Sequence, residues 1–174
     1  PSFMKRETRF FERGNWQMPL DTVASDVPSI LNDWDMEWDK NRLGLAKWLV
    51  SDANPLTSRT VVNRIWYQIF GRGIVSTIED MGTQSEPPTH PALLDWMAVH
   101  FMEDQQWDLK ALIKSIVMTA TYQQSSAIDE YKYRLDPNNI FYSRGPKLRL
   151  QAEEIRDQAL AVSGLLSPKM GGMG

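Results

Sequence analysis

Thr57-Ser58-Arg59-Thr60-Val61-Val62-Asn63-Arg64-Ile65-Trp66-Tyr67-Gln68-Ile69-Phe70, closed by Gly71, is the stretch that decides the fold. At about 100° per residue, Val61, Val62, Ile65, Trp66 and Ile69 fall in one apolar stripe. Arg59 and Asn63 lie one turn apart at its edge, and Arg64 lies on another flank. This is the signature of a helix packed on one side. Gly71 supplies its left-handed stop, and an irregular stretch runs from Gly73 to Pro88.

Helical signals continue on both sides. Upstream, Leu43, Leu45, Ala46, Trp48, Leu49 and Val50 cover most of the circumference of a short helix, which predicts that it is buried. Asn54-Pro55 ends it, because the residue before proline is pushed out of helical geometry. Downstream, Thr89 or His90 can cap a third helix with Pro91 in its first turn and a stripe of Leu93, Leu94, Met97, Ala98 and Phe101. Asp108 caps a fourth, carrying Leu109, Leu112, Ile113, Ile116 and Val117. Asp136-Pro137-Asn138-Asn139 is a turn and Gly145-Pro146 punctuates the chain before a last helix, over 151–166, whose Ile155, Ala159, Val162 and Leu166 share a face. Residues 1–40 lack helical periodicity; Arg13-Gly14-Asn15-Trp16, Pro19 and Pro28 read as turns and extended segments, with one short strand over 8–12 or an arm that pairs with a domain upstream. The expected fold is all-α, an irregular bundle of about five helices over 41–174 with an extended arm or linker over 1–40.

Composition narrows the function classes. The length of 174 residues suits one domain, and 42% hydrophobic with 24% charged residues is ordinary for a globular chain. A net charge of −3, with no block of Lys and Arg, makes nucleic acid a poor partner. No apolar run reaches bilayer length. The absence of Cys removes disulfides, thiolate catalysis, iron–sulfur ligation and covalent haem attachment through this chain. A start at Pro1 and a loop-like end over 168–174 lead us to expect a fragment of a longer protein.

Four constellations could carry chemistry. Glu153 and Asp157, at i and i+4 on one helical face, could hold a cation or divide acid and base roles, although Arg156 and Arg149 are placed to neutralise them. The loop over 79–90 offers Glu79, Asp80, Glu86 and His90, whose spacing matches no compact metal motif. Arg59, Asn63 and Trp66 could present guanidinium, amide and indole to an anion or sugar, or Arg59 could tie loop carbonyls or a carboxylate such as Asp80 to its helix. Phe70-Gly71-Arg72-Gly73 resembles a phosphate loop only superficially, because it follows a helix and opens none. His100, at the margin of the third helix's stripe, reads as a partly buried, hydrogen-bonded histidine. No nucleophile elbow or triad spacing is present, and no catalytic or metal residue is assigned.

The residues also carry a resemblance. Asn41-Arg42-Leu43, Ala46-Lys47-Trp48-Leu49-Val50, Asn54-Pro55-Leu56-Thr57-Ser58-Arg59, Val62-Asn63-Arg64-Ile65-Trp66 and Phe70-Gly71-Arg72-Gly73 are followed by Pro87-Pro88-Thr89-His90-Pro91, Trp107-Asp108-Leu109-Lys110 and Thr121-Tyr122-Gln123-Gln124-Ser125-Ser126. Ala152-Glu153, Ile155-Arg156-Asp157 and Pro168-Lys169-Met170-Gly171-Gly172 close the series, and Arg13-Gly14-Asn15-Trp16 fits near its start. Together they resemble the planctomycete-type PSD-one domain family, a domain of unknown function (DUF fifteen-fifty-three). The resemblance implies a module of large exported bacterial proteins, periplasmic or at the cell surface, whose partners are neighbouring domains of the same protein and, as a candidate, polysaccharide. It implies no cofactor in this chain, haem belonging only to a separate cytochrome-like domain, and no established reaction. Met81-Gly82 stands where the family has Phe-Gly, and the family's C-terminal portion does not follow Gly174.

The polar positions that match the family motif are Arg59, Asn63, Arg64, Asp80, Glu86, His90, Asp95, Glu153, Arg156 and Asp157. We expect many of them to converge on one face. A noncatalytic interaction or scaffold role is the leading expectation. The alternatives are a polysaccharide hydrolase or lyase that uses Glu153, Asp157 or Asp80 with His90, and carbohydrate binding through Trp16, Trp34, Trp38 and Trp96.

Overall fold

The alternation of apolar stripes and proline or glycine stops builds a helix-dominated chain with one small sheet. A computed structural model describes residues 7–169 and Gly171; Pro1 and most of the expected loop-like end, Met170 and 172–174, lie outside the described residues. In chain order the elements are β1 (Thr8–Phe11), β2 (Pro19–Val23), α1 (Arg42–Leu49), α2 (Thr57–Phe70), α3 (Pro91–Glu103), α4 (Leu109–Val117), α5 (Glu130–Leu135) and α6 (Ala152–Val162). No helix of the described residues is long and apolar enough to cross a membrane.

The described chain divides into two compact units that are not continuous in sequence. The first runs through Val62 and adds Ala92–Trp107; the second takes Asn63–Pro91 and the chain from Asp108 onward.

In the first unit, β1 pairs antiparallel with β2, with an irregularity between Arg9 and Phe11. The strand expected near Thr8 therefore finds a partner within the same chain. Arg13 and Gly14 both adopt left-handed backbone, at φ 47 and 78, in the turn between the strands. Pro19 opens β2, the one position of a strand where a missing N–H costs least. Trp48 on α1 is buried and donates its indole N–H to the Asn32 carbonyl at 3.0 Å, tying the extended arm to the helix. Contrary to the expectation that α1 is buried, only Gly44 and Trp48 are; Leu43, Leu45 and Leu49 are exposed. Apolar residues around a whole helix need neighbours on every side, and α1 has a packed side only along Gly44 and Trp48. Asn54 starts α2 as well as stopping α1: its buried side-chain oxygen accepts from the amides of Leu56 (3.0 Å) and Thr57 (3.1 Å). Val62 of α2 and, from the expected α3 stripe, Leu94, Met97, Ala98 and Phe101 are the other buried apolar side chains, with Leu93 of that stripe half-buried.

In the second unit, Trp66 and Phe70 of α2 stack at 4.3 Å between ring centres, and Tyr142 meets both edge-on at 5.3 and 5.4 Å. Leu112 and Ile116 of α4, with Ile74 and Val75, complete the buried set. Gly71 stops α2 at φ +73, as expected. Asp108 caps α4 by accepting from Lys110 N (2.8 Å) and Ala111 N (3.2 Å). Residues 136–145 form a loop knotted by its own side chains. The Asp136 carboxylate accepts from the amides of Ile140 (2.7 Å) and Phe141 (2.8 Å), and Arg144 donates to the carbonyls of Asp136 (2.9 Å) and Pro137 (2.7 Å). That loop presents Tyr142, itself at φ 53, to Trp66 and Phe70.

Asn63 departs from its expected position at the edge of the α2 stripe. It is 0% exposed, and its side chain donates to the Val75 carbonyl at 3.1 Å and accepts from the Val75 amide at 3.0 Å. A buried amide paired on both sides satisfies a loop residue that has no strand or helix partner. Gly73 is required beside it, since a Cβ there would stand 2.4 Å from the Val75 carbonyl oxygen and 2.9 Å from the Asn63 amide.

Two predictions follow from this packing. Asn63→Leu keeps the branching and heavy-atom count of the side chain but strands the Val75 amide and carbonyl, and denaturant unfolding should show a loss of about 2–4 kcal/mol; a loss below about 0.5 kcal/mol would remove Asn63 from that role. Burial holds the Tyr142 hydroxyl above the ordinary tyrosine range. The unfolded chain then ionises this group first, so its stabilising effect is full below about pH 10 and falls as pH rises past that value toward the folded-state pKa. Stability of the wild type should drop more steeply than that of Tyr142→Phe between about pH 9.5 and 11, and parallel curves would contradict the assignment.

Candidate functional site

The candidate polar residues divide between the units, Arg59 and Asp95 in the first and the remaining eight in the second. All but Glu153 have a partner among the described residues of their own unit.

On the first unit, Arg59 in the first turns of α2 donates through Nε to Asp95 Oδ1 of α3 at 2.7 Å and through a terminal nitrogen to the Pro55 carbonyl. The sequence reading of a guanidinium that ties loop carbonyls and a carboxylate to its helix is correct in kind. The carboxylate is Asp95, whereas Asp80 was the expected example. With the Asp95 side chain 56% exposed, solvent screening keeps such a pair to about 1 kcal/mol or less. His100 is partly buried as expected, with Nδ1 at 2.6 Å from Asp104 and its ring stacked on Trp96 at 4.9 Å.

On the second unit, the acidic loop uses its carboxylates on itself. Asp80 accepts from the Gly82 amide at 2.7 Å, and Glu86 accepts from the Ser76 hydroxyl at 3.3 Å. Arg64 and Glu79 approach to 4.0 Å. His90 sits in the aromatic cluster, 5.6 Å from Tyr142 and 6.2 Å from Phe141, with Nδ1 at 3.0 Å from the Thr89 hydroxyl. Thr89 bonds to the Ile74 carbonyl through both its amide (2.9 Å) and its hydroxyl (3.2 Å), which secures the loop ahead of α3.

The carboxylate pair of the last helix is exposed on α6. Arg156 stands 3.6 Å from Asp157, which meets the neutralising reading in part, since among the described residues neither Arg156 nor Arg149 forms an ion pair with Glu153; Glu154 closes the helix start by accepting from the Gln151 amide at 2.8 Å. Among the described residues no group of three or more His, Asp or Glu side chains is arranged to hold a metal ion. The expected apolar face of this helix is not packed: no residue of α6 is buried, and Ile155, Val162 and Leu166 are exposed.

Sequence reasoning missed Asp136 and Tyr142. Asp136 had a turn signal around it, but nothing in its neighbours shows that both its oxygens are consumed by backbone amides. Tyr142 had no periodic context at all. The tryptophans named for ligand binding are partly available. Trp16 is 76% and Trp96 60% exposed, while Trp34 and Trp38 are half-buried.

A family model described as a protein of unknown function (DUF1553) matches residues 41–174. No curated protein and no solved structure matches the chain. The matched span covers every α-helix of the described residues and all ten candidate polar residues. With more than half its length matched, the chain belongs to this domain family of unknown function, DUF1553.

Proposed function

We propose that the chain is a noncatalytic interaction module of a larger bacterial protein. The observation that carries this reading is the set of apolar side chains left exposed on the smallest elements. All nine strand residues are exposed, Phe10, Phe11 and Leu20 among them, and α6 leaves Ile155 and Val162 uncovered, with Leu166 exposed just beyond it. A two-stranded hairpin and an 11-residue helix are each marginal in water without packing. Exposed apolar faces on such elements are best explained as surfaces for other protein. The candidate polar residues support the same reading, because Arg59, Asn63, Asp80 and Glu86 all spend hydrogen bonds on their own unit. Neighbouring domains as partners, and an exported setting in the periplasm or at the cell surface, belong to the proposal and draw on the family resemblance.

A second reading, carbohydrate binding, is favoured by Trp16 and Trp96, whose indoles stand well into solvent.

Incubating the chain with a panel of soluble polysaccharides and assaying new reducing ends should detect no turnover. Turnover that disappears in Glu153→Gln or Asp157→Asn would overturn the noncatalytic reading in favour of a carboxylate-dependent hydrolase or lyase. As a second arm, the pair Ile155→Ser and Val162→Ser should leave unfolding free energy within about 0.5 kcal/mol of wild type, as residues outside the core do. A loss of about 2 kcal/mol or more would show that they pack within the fold.

A further inference from the structure

Between the hairpin and α1, the loop over 33–40 builds a cleft that no part of the fold explains. Trp34 is its fixed wall. The indole N–H donates to the Trp38 carbonyl at 2.9 Å, the two rings meet edge to face at 6.4 Å, and the Trp34 ring lies so close to Gly44 that a Cβ there would stand 2.6 Å from it. Beside Trp34 open two hollows of about 270 and 610 Å³, which share Asp26, Trp34 and Lys40. The larger adds Asp33, Met36 and Trp38. Its volume falls within the range of about 300–1,000 Å³ typical of ligand clefts. Met36 is 96% exposed, so an adaptable apolar side chain stands at the rim with no internal use.

The chemistry of the lining selects the occupant. Lys40, the cation of the larger hollow, is paired with Asp26 at 3.1 Å, and the bond holds that carboxyl below the ordinary range. Asp33 lies in the same lining, and Asp35, Glu37 and Asp39 alternate with the aromatic residues along the loop. An anion would meet the net negative charge of the exposed loop over 33–40, where Asp33, Asp35, Glu37 and Asp39 stand against Lys40, although of these acids only Asp33 lines the larger hollow. A neutral sugar would need side-chain amides or hydroxyls; the larger hollow offers none, Ser25, Asn41 and the cationic Arg42 line only the smaller one, and the Trp34 N–H is already committed. A cation with an apolar stem suits the larger hollow: the stem lies along indole and thioether, and the head group meets an indole face and the Asp33 carboxylate.

We propose that this cleft docks a basic segment of a partner protein through its lysine or arginine side chains. The proposal rests on the interaction-module reading and names the chemistry of its partner.

The test titrates the full 174-residue chain with the end-blocked peptide acetyl-Lys-Arg-Lys-Arg-amide and follows the indole N–H signals by NMR. The expected result is a saturable shift of the Trp34 and Trp38 signals that weakens as salt is raised. Trp38→Ala and Asp33→Asn should each weaken binding about tenfold, while Glu103→Gln on α3 should leave it unchanged. Where Trp38→Ala fails to fold, Asp33→Asn, which leaves the aromatic wall intact, decides alone. No shift of either indole at millimolar peptide, unchanged affinity in Asp33→Asn, or an equal response to neutral maltotriose would overturn the proposal. A silent peptide titration without polysaccharide turnover removes the cleft assignment and leaves the interaction reading standing; turnover removes the interaction reading itself.

Discussion

Two hydrogen bonds from one buried amide hold the second unit in register. Asn63 grips Val75 at both its backbone groups, so the loop after α2 lies against that helix without belonging to any regular element. Ile74 and Val75 are buried as a result, and the Ile74 carbonyl is then placed to receive both donors of Thr89. The Arg72 carbonyl, one turn of loop earlier, accepts the Tyr142 hydroxyl at 3.3 Å. His90 and Tyr142 thus reach the aromatic cluster through a loop fixed at one residue. An unpaired buried amide and carbonyl cost far more than a paired set contributes, which makes such a fixing point unforgiving.

The elements legible in the sequence were those with long local signals. The stripe from Val61 to Ile69 with Gly71 behind it marked α2 at both ends, and Asp108 before Leu109 marked α4. Short elements lacked that redundancy. Helix α5 has six residues, one cap from Asp129 and one ion pair between Glu130 and Arg134, too little to separate it from a loop by pattern. Strand β2 begins at a proline, which argued against it, although the first position of a strand tolerates one. The division into units was hidden for a different reason. Each unit gathers segments far apart in the chain, and no composition shift marks Val62 or Trp107.

The candidate site was legible as a set of residues but not as a set of partners. Periodicity places Asn63 near a stripe, yet whether its amide meets water, ligand or backbone depends on a carbonyl twelve residues away. Arg59 showed the same limit: its structural role was readable and its partner, Asp95 on a different helix, was not. Apolar faces were over-read in the other direction. The apolar residues of α1 and α6 look like core on a wheel, yet α1 buries only the side of Gly44 and Trp48 and α6 buries none, because no element of the described chain covers the rest. Those uncovered faces, more than any titratable group, set the direction of the functional reading for this member of DUF1553.

Native-state hydrogen exchange at the Val75 amide tests the fixing role of Asn63 most directly. With the Asn63 bond in place, this loop amide should exchange as slowly as the amides of the buried turns of α2, through the same large opening that unfolds the unit. Exchange at the rate of an open surface loop, with α2 still protected, would show that Asn63 does not hold the second unit together.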